Sequence, residues 1–119
     1  NAGWQRDLAA VENHWGEVLK AEGKLPEALV SYRSSLAKRE RLAHQNPGNA
    51  EWQRDLAESH RNIGEILARQ GQTAAALESC EAGRAIAARL VQLAPGHAQW
   101  RKDLDELDQK IAKVKGGGL

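Results

Sequence analysis

Apolar residues along this chain recur at steps of three and four, the period of an α-helix with one buried face. Trp4, Leu8, Val11, Trp15 and Leu19 form the first stripe, which is expected to end at Gly23, where a glycine can take the left-handed conformation that stops a helix. A second stripe opens at Leu25-Pro26, with proline in a first turn that has no use for its missing N–H, and carries Leu29, Tyr32, Leu36 and Leu42 up to Asn46-Pro47-Gly48. Asn49 is placed to cap a third helix, which carries Trp52, Leu56, Ile63 and Leu67 and stops at Gly71. Thr73 is expected to cap a fourth, with Ala76, Leu77, Cys80, Ile86 and Leu90, ending before Pro95-Gly96. The fifth runs from Ala98 to Lys115 through Trp100, Leu104, Leu107, Ile111 and Val114 and closes at Gly116-Gly117-Gly118. No stretch alternates with period two, so no sheet is expected, and loops of about three to five residues force neighbouring helices to run antiparallel.

The stripes repeat. Trp-Gln-Arg-Asp-Leu at Trp4–Leu8 returns at Trp52–Leu56, and as Trp-Arg-Lys-Asp-Leu at Trp100–Leu104, each time after 48 residues. Laid without a gap over residues 49–96, residues 1–48 are identical at 20 positions, among them Gly16/Gly64, Glu17/Glu65, Gly23/Gly71, Ala28/Ala76 and Leu42/Leu90. Self-similarity at a fixed period means one supersecondary unit copied and stacked. The predicted fold is therefore an all-α solenoid of antiparallel helix pairs with five helices. Repeat 1 spans 1–48 (helices about 3–22 and 26–45) and repeat 2 spans 49–96 (helices about 50–70 and 74–94), followed by a capping helix over 97–115 and a flexible tail over 116–119. The last helix is an incomplete copy: Gly64 becomes Ala112 and Leu67 becomes Lys115, a lysine suited to a solvent-facing cap. The other end looks open, because Val11, Trp15 and Val18 are expected to face outward with no earlier repeat to cover them. A preceding repeat of a longer protein, or self-association through that edge, would explain this.

Composition narrows the function classes. The 119 residues are 41% hydrophobic and 28% charged with a net charge of +1, a mix typical of a soluble helical protein and wrong for a disordered one. Acids and bases interleave, and no basic stripe points to nucleic acid. No apolar run is long enough for a membrane span. Cys80, the single cysteine, has no internal disulfide partner, so an oxidising compartment is not implied and a cytoplasmic location is expected.

Within each unit the residues resemble the tetratricopeptide pattern. Trp15-Gly16-x-x-Leu19, Gly23, Ala28 and Tyr32 fall where that family places its Leu-Gly-x-x-Tyr, later Gly, Ala and Phe/Tyr, and Ile63-Gly64-x-x-Leu67, Gly71, Ala76 and Cys80 do so again. Small residues at Gly16/Gly64 and Ala28/Ala76 let paired helices approach closely. The family's leading tryptophan position holds Glu12 and His60 instead, and the usual period of 34 is stretched by 14 residues. The unit is thus similar to long tetratricopeptide variants such as those of kinesin light chains and bacterial multi-repeat proteins. The resemblance implies a protein-binding scaffold whose concave groove is lined by the first helix of each pair. Here the lining would be Asn13, Glu17 and Lys20, then Arg61, Glu65 and Arg69, then Gln109 and Lys113. Some members of the family clamp a chaperone's C-terminal carboxylate with an Asn and several bases. Glu17 and Glu65 stand where that Asn belongs and would repel a carboxylate.

The residues themselves offer little chemistry. Cys80 replaces the aromatic Tyr32 of the first unit and is expected to be a buried, inert thiol. His14, His44, His60 and His97 are scattered, with no second His at i+4, so no metal site and no cofactor are expected. Glu17 and Glu65 sit one repeat apart, roughly 10 Å, too far to share a proton. No phosphate loop or nucleophile elbow is present, and no enzyme is expected. The competing reading of the groove residues is a solvated face braced by pairs such as Arg61 with Glu65 and Glu65 with Arg69. The expected function is non-catalytic binding of a peptide or helix, the alternative being a self-assembly element that stacks through exposed repeat edges. Trp4, Trp52 and Trp100 are expected to pack between units, with Trp52→Ala costing on the order of 3–5 kcal/mol.

Overall fold

The computed structural model describes residues 1–117 and folds them into five helices with no strand among them. These are α1 (Ala2–Ala21), α2 (Leu25–Gln45), α3 (Ala50–Arg69), α4 (Thr73–Leu93) and α5 (Ala98–Lys115). The helix ends follow the local chemistry. Asn1 and Asn49 accept hydrogen bonds on their side chains from the N–H groups of Trp4 and Trp52, at 3.1 and 3.0 Å. Gly23 and Gly71 turn the chain with φ of +78° and +80°, a region that an L side chain disfavours. Thr73 does not cap α4. It is the first helical residue, the cap position belongs to Gln72, and no side chain bonds there. The end of the expected tail over 116–119 lies outside the described residues; Gly116 and Gly117 terminate α5.

Side-chain bonds show how the helices run. Ser31 Oγ donates to the Glu12 carbonyl and Ser35 Oγ to the Ala9 carbonyl, each at 2.7 Å, so α2 descends α1 in the antiparallel sense. Arg6 reaches Asp55, Asn62 reaches Asn13 and Lys20 reaches Glu65, so α1 and α3 run parallel on the same side of the molecule. Each helix packs on the next in sequence. The result is an all-α stack of two helix pairs followed by α5.

Two apolar clusters hold the stack. One joins Leu19, Ala28, Tyr32, Ile63, Ile66, Leu67, Ala76 and Val114, and so spans both pairs and α5. The other joins Ala43, Leu56, Ala57, Ile86 and Leu90, with Trp100 against it. Close approach within pairs depends on the glycines: a Cβ at Gly16 would lie 2.7 Å from the Tyr32 ring, and one at Gly64 would lie 2.5 Å from Cys80 Sγ. Tyr32 and Cys80 are the fully buried residues that fill equivalent seams, as their shared place in the unit predicts.

The tryptophans behave differently from expectation. Trp4 is 78% exposed, Trp52 is half-buried and belongs to neither cluster, and Trp100 lies on the edge of the second cluster with its ring stacked on His97 at 4.0 Å. At the open edge Val11 and Trp15 are exposed as anticipated, but Val18 is half-buried, and the exposed stripe extends the other way to Leu8 and Trp4. In α5, Leu107, Ile111 and Val114 are buried, while Ala112 and Lys115 face solvent.

Candidate binding groove

The parallel helices α1, α3 and α5 form one face of the molecule, and their side chains mesh by a regular rule. A residue on one inner helix meets the residues 45 and 49 positions later, which are four apart and therefore one helical turn apart on the next inner helix. Arg6 bonds Glu51 at 3.4 Å and Asp55 at 2.9 Å. Asn13 donates to Glu58 at 3.3 Å and accepts from Asn62 at 2.9 Å. One unit later Arg54 bonds Asp103 at 2.6 Å and Arg61 bonds Glu106 at 2.7 Å.

Glu65 is the centre of this ladder. Its carboxylate accepts from Lys20 on α1 at 2.9 Å and from Lys110 on α5 at 2.7 Å, with Arg69 at 3.6 Å on its own helix. Burial alone would favour the neutral acid, but the bonds from Lys110 and Lys20 outweigh it and pull the pKa down to about 2. One residue thus ties three helices together. Beneath the ladder Arg39 of α2 is 5% exposed and donates from Nη1 to Ser59 Oγ at 2.8 Å and to the Asp55 carbonyl at 3.1 Å. Tyr32 lies below as well. Burial, with the carboxylates of Glu17, Glu65 and Glu58 nearby, pushes its phenol up to about 12, and its hydroxyl has no hydrogen-bond partner among the described residues.

Over the ladder lies a cleft of about 390 Å³ lined by Glu17, Lys20, Arg61, Asn62, Glu65, Glu106, Gln109, Lys110 and Lys113. A smaller one of about 190 Å³ adjoins it, sharing Arg61 and Glu106 and extending to Arg54 and Asp103. Together they make a polar groove crossing the three inner helices. Of the residues anticipated there, Glu17, Lys20, Arg61, Glu65, Gln109 and Lys113 line it. Two do not. Asn13 is 6% exposed and spends its amide on Asn62 and Glu58, because it sits under the meshing point and not above it. Arg69 lies near the last turn of α3, beyond the cleft, and reaches back to Glu65. The brace expected between Arg61 and Glu65 is absent from the ion pairs among the described residues, since Arg61 turns to Glu106 on α5 instead.

Sequence reasoning missed Asn62, Glu106 and Lys110, and with them the pairing itself. The signal was available: opposite charges recur at separations one turn apart that bracket the 48-residue period. Three lining groups keep free polar ends toward the groove. Glu17 has only His14, 3.8 Å away, as an ionic neighbour, and Gln109 and Lys113 are exposed with no bonded partner among the described residues.

No group of three His, Cys, Asp or Glu among the described residues is placed to hold a metal ion. Cys80 is fully buried, and burial pushes its thiol pKa up, which makes it a poor nucleophile. No described helix is long and apolar enough to cross a membrane. No family model matches the chain, and no curated protein matches it.

Proposed function

We propose that this chain is a non-catalytic, tetratricopeptide-like binding module, acting in the cytoplasm, whose inner groove takes an extended peptide or a helix of a protein partner. The observation that carries the reading is the continuous cleft across three parallel helices, built on a rigid ladder yet topped by unspent polar groups. The ladder neutralises itself, so the groove offers selective contacts at its walls and little net charge in its floor. Glu17 on the α1 wall is suited to a basic side chain, Lys113 on the α5 wall to an acidic one, and the Gln109 amide to a peptide bond. A ligand with a cation and an anion set apart along its length fits this order. The groove is preformed, so little rearrangement is needed on binding.

The test is a peptide-display screen on the wild type and on Glu17→Lys/Lys113→Glu. Both substitutions lie at exposed positions outside the ladder, whereas changing Glu65 would disturb the fold itself. The expected result is an enriched motif in the wild type that the double variant loses, with the charge order of its own ligands inverted. Enrichment of the same motif by both proteins would place binding elsewhere, and no enrichment by either would remove the groove as a site.

A further inference from the structure

The ladder between the inner helices has a rung in one slot that it lacks in the other. Between α3 and α5, Glu65 meets the residue 45 positions later, Lys110, at 2.7 Å. Glu17/Glu65 and Asn62/Lys110 are equivalent positions of the 48-residue unit, so the same place between α1 and α3 sets Glu17 against Asn62. No hydrogen bond joins those two among the described residues; Asn62 donates to Asn13 instead, at 2.9 Å. The bases nearby are committed, Lys20 to Glu65 at 2.9 Å and Arg61 to Glu106 at 2.7 Å, and the exposed His14 stands 3.8 Å from Glu17. A carboxylate therefore faces the cleft without the lysine that its counterpart meets. The broken rung lies between α1 and α3, inside the stack and not at its end.

A second observation lies beneath that rung. The Tyr32 ring packs against Gly16, the residue before Glu17, and the side chain is fully buried, yet its hydroxyl has no hydrogen-bond partner among the described residues. A buried hydroxyl left unpaired is costly. Three carboxylates of the groove face act on it, Glu17, Glu65 and Glu58, with Arg61 opposing them. The second slot holds Cys80 at this place, a weak hydrogen-bonding group with little to satisfy, and there the rung above is complete. The first slot thus carries an extra buried oxygen where the ladder lacks a donor.

We propose that the α1–α3 slot, as part of the peptide-binding groove on which the assignment rests, is a subsite for the side-chain ammonium of a partner's lysine. That lysine completes the rung as Lys110 does in the next slot. Glu17 supplies a carboxylate, Asn62 a side-chain carbonyl, and Tyr32 a hydroxyl oxygen reached directly or through one water. These are three acceptors for the three N–H donors of an ammonium. Glu17 and Asn62 both line the larger cleft, so the site opens where a peptide in the groove would pass.

The socket selects by charge and by shape. An acidic side chain meets the repulsion of Glu17, Glu65 and Glu58. An apolar one leaves Glu17 and the Tyr32 hydroxyl as they were. Arginine carries the right charge, but its donors lie in one plane and match a three-sided socket less well than an ammonium does. Glu17 is half-exposed on its outer side, so salt screens the contact and the subsite alone is weak. It fixes one side chain of a longer segment.

Amide chemical-shift titration at low salt tests this, with a capped glycine–serine heptapeptide carrying one central lysine and its arginine, glutamate and norleucine analogues. The lysine peptide is expected to bind about fivefold more tightly than the norleucine peptide, with shifts at Glu17 and Asn62, and the glutamate peptide no better than norleucine. Asn62→Lys installs the second unit's residue, which should engage Glu17 from within the chain and abolish the preference for lysine. Glu17→Gln, at an exposed position, should abolish it by removing the acceptor. Tyr32→Phe keeps the ring, and is expected to hold or gain stability in urea while losing about threefold in lysine binding, a split that a purely structural hydroxyl would not give. Equal binding of the four peptides, a preference for glutamate, or a lysine preference that survives Asn62→Lys or Glu17→Gln overturns the subsite; shifts that still map to the cleft would then leave the groove standing. If none of the four shifts the cleft at millimolar concentration, the subsite falls and the display screen alone decides the groove.

Discussion

At the level of single residues, close approach is set by pairs of a glycine and the side chain that fills the space above it. Gly16 accommodates Tyr32, and Gly64 accommodates Cys80. The larger ring in the first seam reaches into the cluster that spans both pairs, so Tyr32 links units as well as helices. Truncating it leaves a cavity in a site with no room to collapse, and Tyr32→Ala is expected to cost about 3–5 kcal/mol. Trp52 is half-buried and outside both clusters, so Trp52→Ala is expected to cost only about 1–2 kcal/mol, less than its place at the head of an apolar stripe suggested. Urea denaturation of the two variants checks the ranking. A larger loss at Trp52 would mean that the tryptophans, and not the Tyr32 seam, join the units.

Between elements, cohesion has two parts, an apolar one below and an ionic one above. The ionic ladder runs along the inner helices, and its rungs differ in depth: Arg6 and Arg54 are substantially exposed, whereas Glu65 is enclosed by bases from two other helices. Exposed rungs contribute little because water and salt screen them. Glu65 is the exception, and its depressed pKa makes stability depend on pH. The unfolded carboxyl titrates near 4.5 and the folded one near 2, so its contribution is complete above about pH 5 and is lost as pH falls toward 2. Stability measured by urea titration should therefore fall across that interval in the wild type, and fall less in Glu65→Gln, which is less stable at pH 7 but has no carboxyl left to protonate. An identical acid limb in the two proteins would show that Glu65 is not the coupling group.

The molecule as a whole is a short linear stack, 35 × 31 × 20 Å, in which each helix packs on its neighbours in sequence. Stability in such an array is a sum of units and nearest-neighbour interfaces, so the middle is held from both sides and the ends from one. Helix α3 is the middle: it packs on α2, α4 and α5, and it receives rungs from α1. Native-state hydrogen exchange is expected to show the slowest amides in α3, with α1 and α5 exchanging through smaller openings. Slower exchange in α1 than in α3 would contradict a linear stack.

The sequence alone determined the elements, their order and the stacking of repeats. Helix period, the asparagine caps at the α1 and α3 N-termini, glycine stops and the 48-residue repeat are local or periodic properties, and a chain cannot display them without folding accordingly. Most of the groove lining was anticipated through the resemblance to tetratricopeptide units, which names the inner face; the repeat then places equivalent residues on it. What only the tertiary structure decided was the offset between stacked helices. That offset sends Arg61 to Glu106 and not to Glu65, sinks Asn13 below the surface, moves Arg69 beyond the cleft and leaves Trp52 on the rim of the seam. The cluster that joins the two pairs and α5 through Tyr32, Ile63, Ile66, Leu67 and Val114 packs at that offset. A shift of one turn along a helix changes every partner without changing any helix, so side-chain packing alone carries that information.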